Sequence, residues 1–167
     1  MKTINTILFI LILSPLVSAQ TQYYNRPDGL DISFVSTGKL NLNQNFSNET
    51  QARYANEKQI VSLVAQRFIS TYMYEEIAKK TTLVKDNAVY SKLTDISEVI
   101  KLSKKTSEGH EYEVRYVQGN YETYHCFFAM ICDEQQHTIY EIGVVCLDKD
   151  VDAGEAILES LRLWDPK

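Results

Sequence analysis

No familiar catalytic group assembles along this chain. There is no Gly-x-Ser-x-Gly elbow to present a nucleophilic serine and no glycine-rich loop to cradle a phosphate. Internal repeats and low-complexity stretches are absent as well. Cysteine is scarce: Cys126, Cys132 and Cys146 are three thiols, an odd number that cannot pair completely. Basic charge is also short, with 17 Lys and Arg against 22 Asp and Glu and a formal net charge of −5. An acidic chain is a poor partner for nucleic acid or an anionic membrane.

The long apolar run lies at the start. Met1-Lys2 gives a basic beginning, Ile7–Leu13 an apolar core and Val17-Ser18-Ala19 small residues for cleavage, the pattern of an export signal over residues 1–19. Ser14 and Pro15 break the run well short of the ~20 apolar residues a membrane span needs. No cysteine follows the cleavage point, so a lipid anchor is not indicated. The rest, 20–167, is the size of one domain, expected to be secreted or periplasmic. Removing Lys2 makes it more acidic.

The fold class expected is α+β. Three antiparallel strands are read at His110–Gln118, Glu122–Cys132 and His137–Leu147, with Gly119-Asn120 as a two-residue turn. That turn sets Tyr112 across from Phe127 and Val114 from His125; a loop at Asp133–Gln136 sets Phe127 across from Ile142. Side chains alternate along a strand, so one face carries Tyr112, Val114, Tyr116, Phe127, Ile131, Tyr140, Ile142, Val144 and Cys146. Ile96–Lys105 fits helix or strand and is read as a fourth strand, closing through Ser107-Glu108-Gly109. A shorter strand, Gly29–Ser36, alternates Leu30, Ile32 and Phe34. Gln20–Asn25 reads as a loose terminus, Thr37–Thr50 as a loop and Thr82–Thr94 as ambiguous.

A long helix is expected over Gln51–Lys80, because Ile60, Val64, Phe68 and Tyr72 recur at i, i+4 spacing. Asn48 and Gln51 resemble a capping pair, and Glu75–Lys79 and Glu76–Lys80 are favourable ion pairs. A second helix over Ala153–Leu163 is capped by Asp152 with Glu155 and buries Ile157, Leu161 and Trp164. The architecture is thus a four-stranded antiparallel meander covered by one long helix, with a short C-terminal helix. A helix before a meander is similar in shape to cystatin-like and NTF2-like domains. A meander ending in Ala156-Ile157-Leu158-Glu159-Ser160-Leu161 resembles small PsbP/Mog1-like domains. Shape alone fixes no function.

Candidate sites divide by chemistry. In the expected register His110, His125 and His137 stand ~13 Å or more apart, too far to share one ion, and His125 is read as a core histidine. Asp148, Asp150, Asp152 and Glu159 occupy positions 1, 3, 5 and 12 of a calcium loop, although position six is Ala153 and a strand precedes the segment. Helix capping explains Asp152 equally. Cys126 and Cys146 point to opposite faces, so buried thiols are expected; a single bulge would reverse that. Two glycosylation sequons begin at Asn45 and Asn48 and matter only in a eukaryotic secretory route. Glu111, Glu113 and Glu141 beside Arg115 form a carboxylate group on the mixed face, more simply read as a solvated strand.

Tyrosine is the compositional excess, at 11 residues. Tyr121 and Tyr124 beside the expected turn suit a contact surface, since tyrosine couples a large ring to a polar tip. With Glu111, Glu113, Asp133 and Glu134 they suit a protein partner with a basic surface. The leading expectation is a small exported non-enzymatic protein that binds another protein, of inhibitor or toxin-immunity type, needing no cofactor. The alternatives are a small-ligand-binding domain or weak hydrolase with a pocket lined by Phe68, Tyr112, Tyr116 and His125, or a calcium-stabilised structural module.

Overall fold

The computed structural model describes residues 21–25, 30–79 and 92–163. The export segment, Trp164 and most of Thr82–Thr94 lie outside them. Seven strands form the main sheet, in the order β3-β4-β5-β9-β8-β7-β6. They are β3 (Asn41–Leu42), β4 (Gln51–Ala55), β5 (Gln59–Arg67), β6 (Ile100–Lys105), β7 (Glu111–Tyr121), β8 (Tyr124–Asp133) and β9 (Thr138–Leu147). A smaller sheet joins β1 (Thr21–Asn25), β2 (Ile32–Ser36) and β10 (Arg162–Leu163). Among the described residues two short α-helices join the sheets: α1, Thr71–Ala78, and α2, Val151–Ser160.

This corrects the expected fold class. No long helix covers a four-stranded meander: Gln51–Arg67 is a β-hairpin, and helix begins only at Thr71. The i, i+4 pattern is also every second step of a period-2 pattern. Val61, Leu63 and Ala65 are buried while Val64 faces out. Turn chemistry settles the choice. Asn56 Oδ1 accepts from the amides of Lys58 (2.8 Å) and Gln59 (2.9 Å), reversing the chain between β4 and β5. Asn48 Oδ1 takes Thr50 and Gln51 N–H in the same way, so the supposed helix cap is a turn. Of the expected helix ion pairs, Glu75–Lys79 forms at 3.4 Å; Lys80 lies outside the described residues.

Both hairpin registers also differ from expectation. β7 and β8 turn at Glu122-Thr123, so Gln118 pairs with Phe127 and Val114 with Ile131. Gly119 is not a turn glycine; the backbone of Thr94 crosses it, and a Cβ there would sit 3.0 Å from the Thr94 carbonyl oxygen. Between β8 and β9, Asp133 pairs with Thr138 and Phe127 with Val144. Both slips are by an even number of residues, so the faces are unchanged. Val114, Phe127, Ile131, Tyr140, Ile142, Val144 and Cys146 all enter one core, with Tyr112 and Tyr116 packed at its margin. Of the expected strand Ile96–Lys105, Ile100–Lys105 forms β6 and pairs with β7, and Thr21–Asn25 forms β1 rather than a loose end.

The inner face of the main sheet is covered by α2 and the small sheet. Ile157, Leu158 and Leu161 meet Leu30, Ile32 and Phe34 there. Ser160 Oγ accepts from Val35 N at 2.8 Å, tying α2 to β2, while Lys104 Nζ on β6 donates to the Glu159 carbonyl near the helix end. Asp152 is not the cap: it lies in the first turn of α2, behind Asp150. The outer face is covered in part by α1, whose Tyr74 packs with Phe68, Val117, Met130 and Ile139.

Candidate functional site

The hairpin β7–β8 runs from a cleft at one end to a tip at the other, ~26 Å between Glu113 and Tyr121 at ~3.3 Å per residue. The sequence candidates divide between those ends. At the tip, Tyr121 pairs directly with Tyr124, and Tyr124 with Leu147 on β9. Alternation puts all three on the outer face. The tyrosines are 40% and 41% exposed. Glu122 between them has φ 55°, a left-handed conformation costing a non-glycine residue on the order of 1 kcal/mol.

Neighbouring bonds hold the tip in place. Asn120 exchanges backbone hydrogen bonds with Thr94, at 2.9 Å and 2.8 Å. His125 Nδ1 lies 2.8 Å from Asn120 Oδ1, and the Asp148 amide donates to the Thr123 carbonyl at 3.3 Å. His125 is therefore a positioning residue for the tip, its ring 4.8 Å from that of Phe127. Below the tyrosines the outer face continues through register pairs Cys126–Val145 and Val145–Ile60, then Phe128–Gly143. α1 packs lower on that face, against Met130 and Ile139.

Glu111, Glu113, Asp133 and Glu134 gather at the opposite end, so they do not share a surface with the tyrosines. There the β7–β8 ladder stops at Val114–Ile131, and the next pairs in register are not made. The parted strands open a cleft of about 740 Å³ lined by Lys104, Arg115, Cys132 and these four acids among others. Its charges largely answer one another. Lys105 meets Glu111 at 2.9 Å and holds that carboxyl below its usual range; Arg115 Nε binds Glu113, and Lys101 reaches Glu113 at 3.6 Å. Burial pushes the Asp133 carboxyl up, against the pull of the Gln136 and Gln135 amides it caps.

The expected pocket between helix and sheet is not formed: Phe68 packs on the outer face, whereas Tyr112, Tyr116 and His125 lie on the inner one. The histidines remain apart, His110 near Glu108 (3.7 Å) and His137 beside the Tyr74 ring (5.4 Å). Asp148–Asp150 form a 3-10 turn, with Asp152 in the first turn of α2 and Glu159 near its end. Among the described residues no three His, Cys, Asp or Glu side chains are grouped to hold a metal ion. No described helix is long and apolar enough to cross a membrane.

The three cysteines are free thiols, Cys126 and Cys146 buried and Cys132 half-buried. Burial pushes the Cys146 thiol up to about 11 and raises the other two. Thiolate is the reactive form. A thiol dye at neutral pH should therefore label Cys126 and Cys146 at least ~100-fold more slowly in the native chain than in urea. Intact mass without reductant should correspond to three thiols; a two-dalton deficit would contradict this arrangement.

No family model matches the chain, and no curated protein sequence is similar to it. Solved structures do resemble it in shape. The Ran-binding protein Mog1p of Saccharomyces cerevisiae is 10% identical with a TM-score of 0.46, the match covering 89% of this chain and 97% of that one. A mutant of protein Mog1 is 10% identical with a TM-score of 0.41, the match covering 81% and 92%.

Proposed function

We propose that this protein acts by binding another protein, with the Tyr121–Tyr124 tip and the sheet face beneath it as the contact surface. The reading places it outside the cytoplasm after loss of residues 1–19, and gives it a non-catalytic role of the inhibitor or immunity kind. One observation carries it: two exposed tyrosines paired across a strained turn that is anchored on both sides. Large rings that are already ordered lose little entropy on binding. Strain is retained where surrounding structure fixes it, commonly at recognition sites.

Replacing Tyr124 with a photo-cross-linking phenylalanine analogue tests the reading in native extracts. A discrete adduct with one protein should form there and not from the same analogue at Lys105, at the cleft end. Tyr121→Ala and Tyr124→Ala should each weaken capture of that protein by about 2 kcal/mol, the size of an interface hot spot, with unchanged unfolding curves. Equal adducts from both positions, or capture indifferent to both substitutions, would refute it.

A further inference from the structure

The two ends of the β7–β8 hairpin differ in how their acids are compensated. At the cleft end the chain supplies its own cations for two acids, Lys105 for Glu111 and Arg115 with Lys101 for Glu113, while Asp133 and Glu134 form no ion pair among the described residues. At the tip end Glu57, Asp95, Glu122, Asp148, Asp150 and Asp152 form no ion pair among the described residues. Their placement is fixed by backbone contacts. Asp148 is bonded to Thr123, the Leu147 amide donates to Lys58 O at 3.4 Å beside Glu57, and Asp95 Oδ2 accepts from Asn120 Nδ2 at 3.4 Å. Among the described residues Lys39, held beside Glu57 by the bond from Asn56 Nδ2 to its carbonyl at 3.2 Å, and Lys58, Lys92 and Lys149 share that end, so six acids face four cations.

We infer that the surface meeting the tip is cationic, a lysine- and arginine-bearing face of the partner protein. The inference rests on the reading of the tip as a docking surface and adds the partner's chemistry. Tyrosine rings accept an ammonium or guanidinium over their faces and cover the alkyl stems beneath it. Carboxylates around such rings pair with the heads. Charge left uncompensated on one side raises the encounter rate with an opposite charge and repels an acidic competitor. The carboxylates that recognise the partner are therefore Asp95, Glu122 and Asp148, and not the sequence candidates Glu111 and Glu113, which their own strands neutralise.

The probe is octalysine, with octaglutamate as control, titrated into the full chain labelled for amide NMR. Octalysine should shift the amides of 120–124 and 147–149, and raising salt from about 50 to about 300 mM should weaken it roughly tenfold. The pair Glu122→Gln with Asp148→Asn should weaken binding threefold or more, while Glu111→Gln with Glu113→Gln leaves it unchanged. Shifts that centre on the cleft, or spread evenly over all carboxylates, overturn the inference, as does indifference to the first pair. The cross-link from position 124 separates this from the docking reading. An adduct on an acidic stretch of a partner sinks the cationic surface alone; absence of any adduct sinks the docking reading and the inference with it.

Discussion

Leu63→Asn is expected to cost about 4 kcal/mol, and Val64→Asn, one residue further on, less than about 1 kcal/mol. Leu63 is 1% exposed, on the inner face between Ala52 of β4 and Ile142 of β9. Removing its side chain from the core loses ~2–3 kcal/mol of transfer free energy. Placing an amide there without a partner adds ~1–3 kcal/mol more. Val64 is 39% exposed on the outer face, paired with Gln51 and Glu141, where a polar group stays wet. At ~2–4 °C per kcal/mol for a domain near this size, the first variant should melt roughly 10 °C lower and the second within a few degrees of the parent. Urea unfolding of both checks the ranking. A helix over Gln51–Lys80 requires Val64→Asn to be costly as well, because Val64 would then stand in the buried stripe with Ile60 and Phe68.

That pair of residues shows why one part of the fold was legible and another was not. A stripe at i, i+4 is compatible with both periods, and the discriminating signal was the neighbours at Val61, Leu63 and Ala65 together with the turn residue Asn56. Two asparagine side chains that could cap a helix instead accept amides in turns. The late meander was legible because its apolar alternation is long. Its turns were misplaced, since Gly119 answered the close passage of Thr94 rather than a reversal. Register errors of two and six residues left every inward residue inward, so the core was read correctly from wrong partners.

The candidate site was half legible for a related reason. Exposure of Tyr121 and Tyr124 followed from their nearness to a hairpin turn, which holds although the turn moved to lie between them. The acids chosen with them were close in sequence to the strand starts and ends, and strands carry sequence neighbours to opposite ends of a sheet. Glu111 and Asp133 therefore sit at the cleft, and the acids that join Glu122 at the tip came from a different strand end and a crossing segment, at Asp148 and Asp95. Their meeting depends on tertiary contacts that no local pattern encodes. The alternating Asp148, Asp150 and Asp152 were legible as a motif, but the 3-10 turn and α2 direct them differently from a calcium loop.

Gly154→Ala is the second substitution expected to act strongly, and its sign runs against helix propensity. In an exposed helix interior the change would stabilise by about 1 kcal/mol. Gly154 instead lies buried in α2 against the sheet, where an added Cβ would come 2.5 Å from Phe127 Cε2 and 3.2 Å from Cys146 Sγ. Phe127 is fully buried, with the Tyr116 and His125 rings 6.5 Å and 4.8 Å away, so it has little room to yield. Overpacking of this kind costs ~1–3 kcal/mol or more, and a net loss of about 2 kcal/mol is expected in urea unfolding. The cause is separable. In a Phe127→Leu background the same alanine should be nearly neutral, a coupling of at least ~1 kcal/mol between the two sites. Gly143→Ala, whose Cβ would meet Phe128 at an ordinary 3.6 Å, should change stability little. Lifting α2 also pulls on the 3-10 turn before it, and through the Asp148–Thr123 bond on the tip itself. Gly154→Ala should therefore broaden the amide signals of 121–124 while leaving those of the cleft sharp, a pattern that general loosening of the core would not produce.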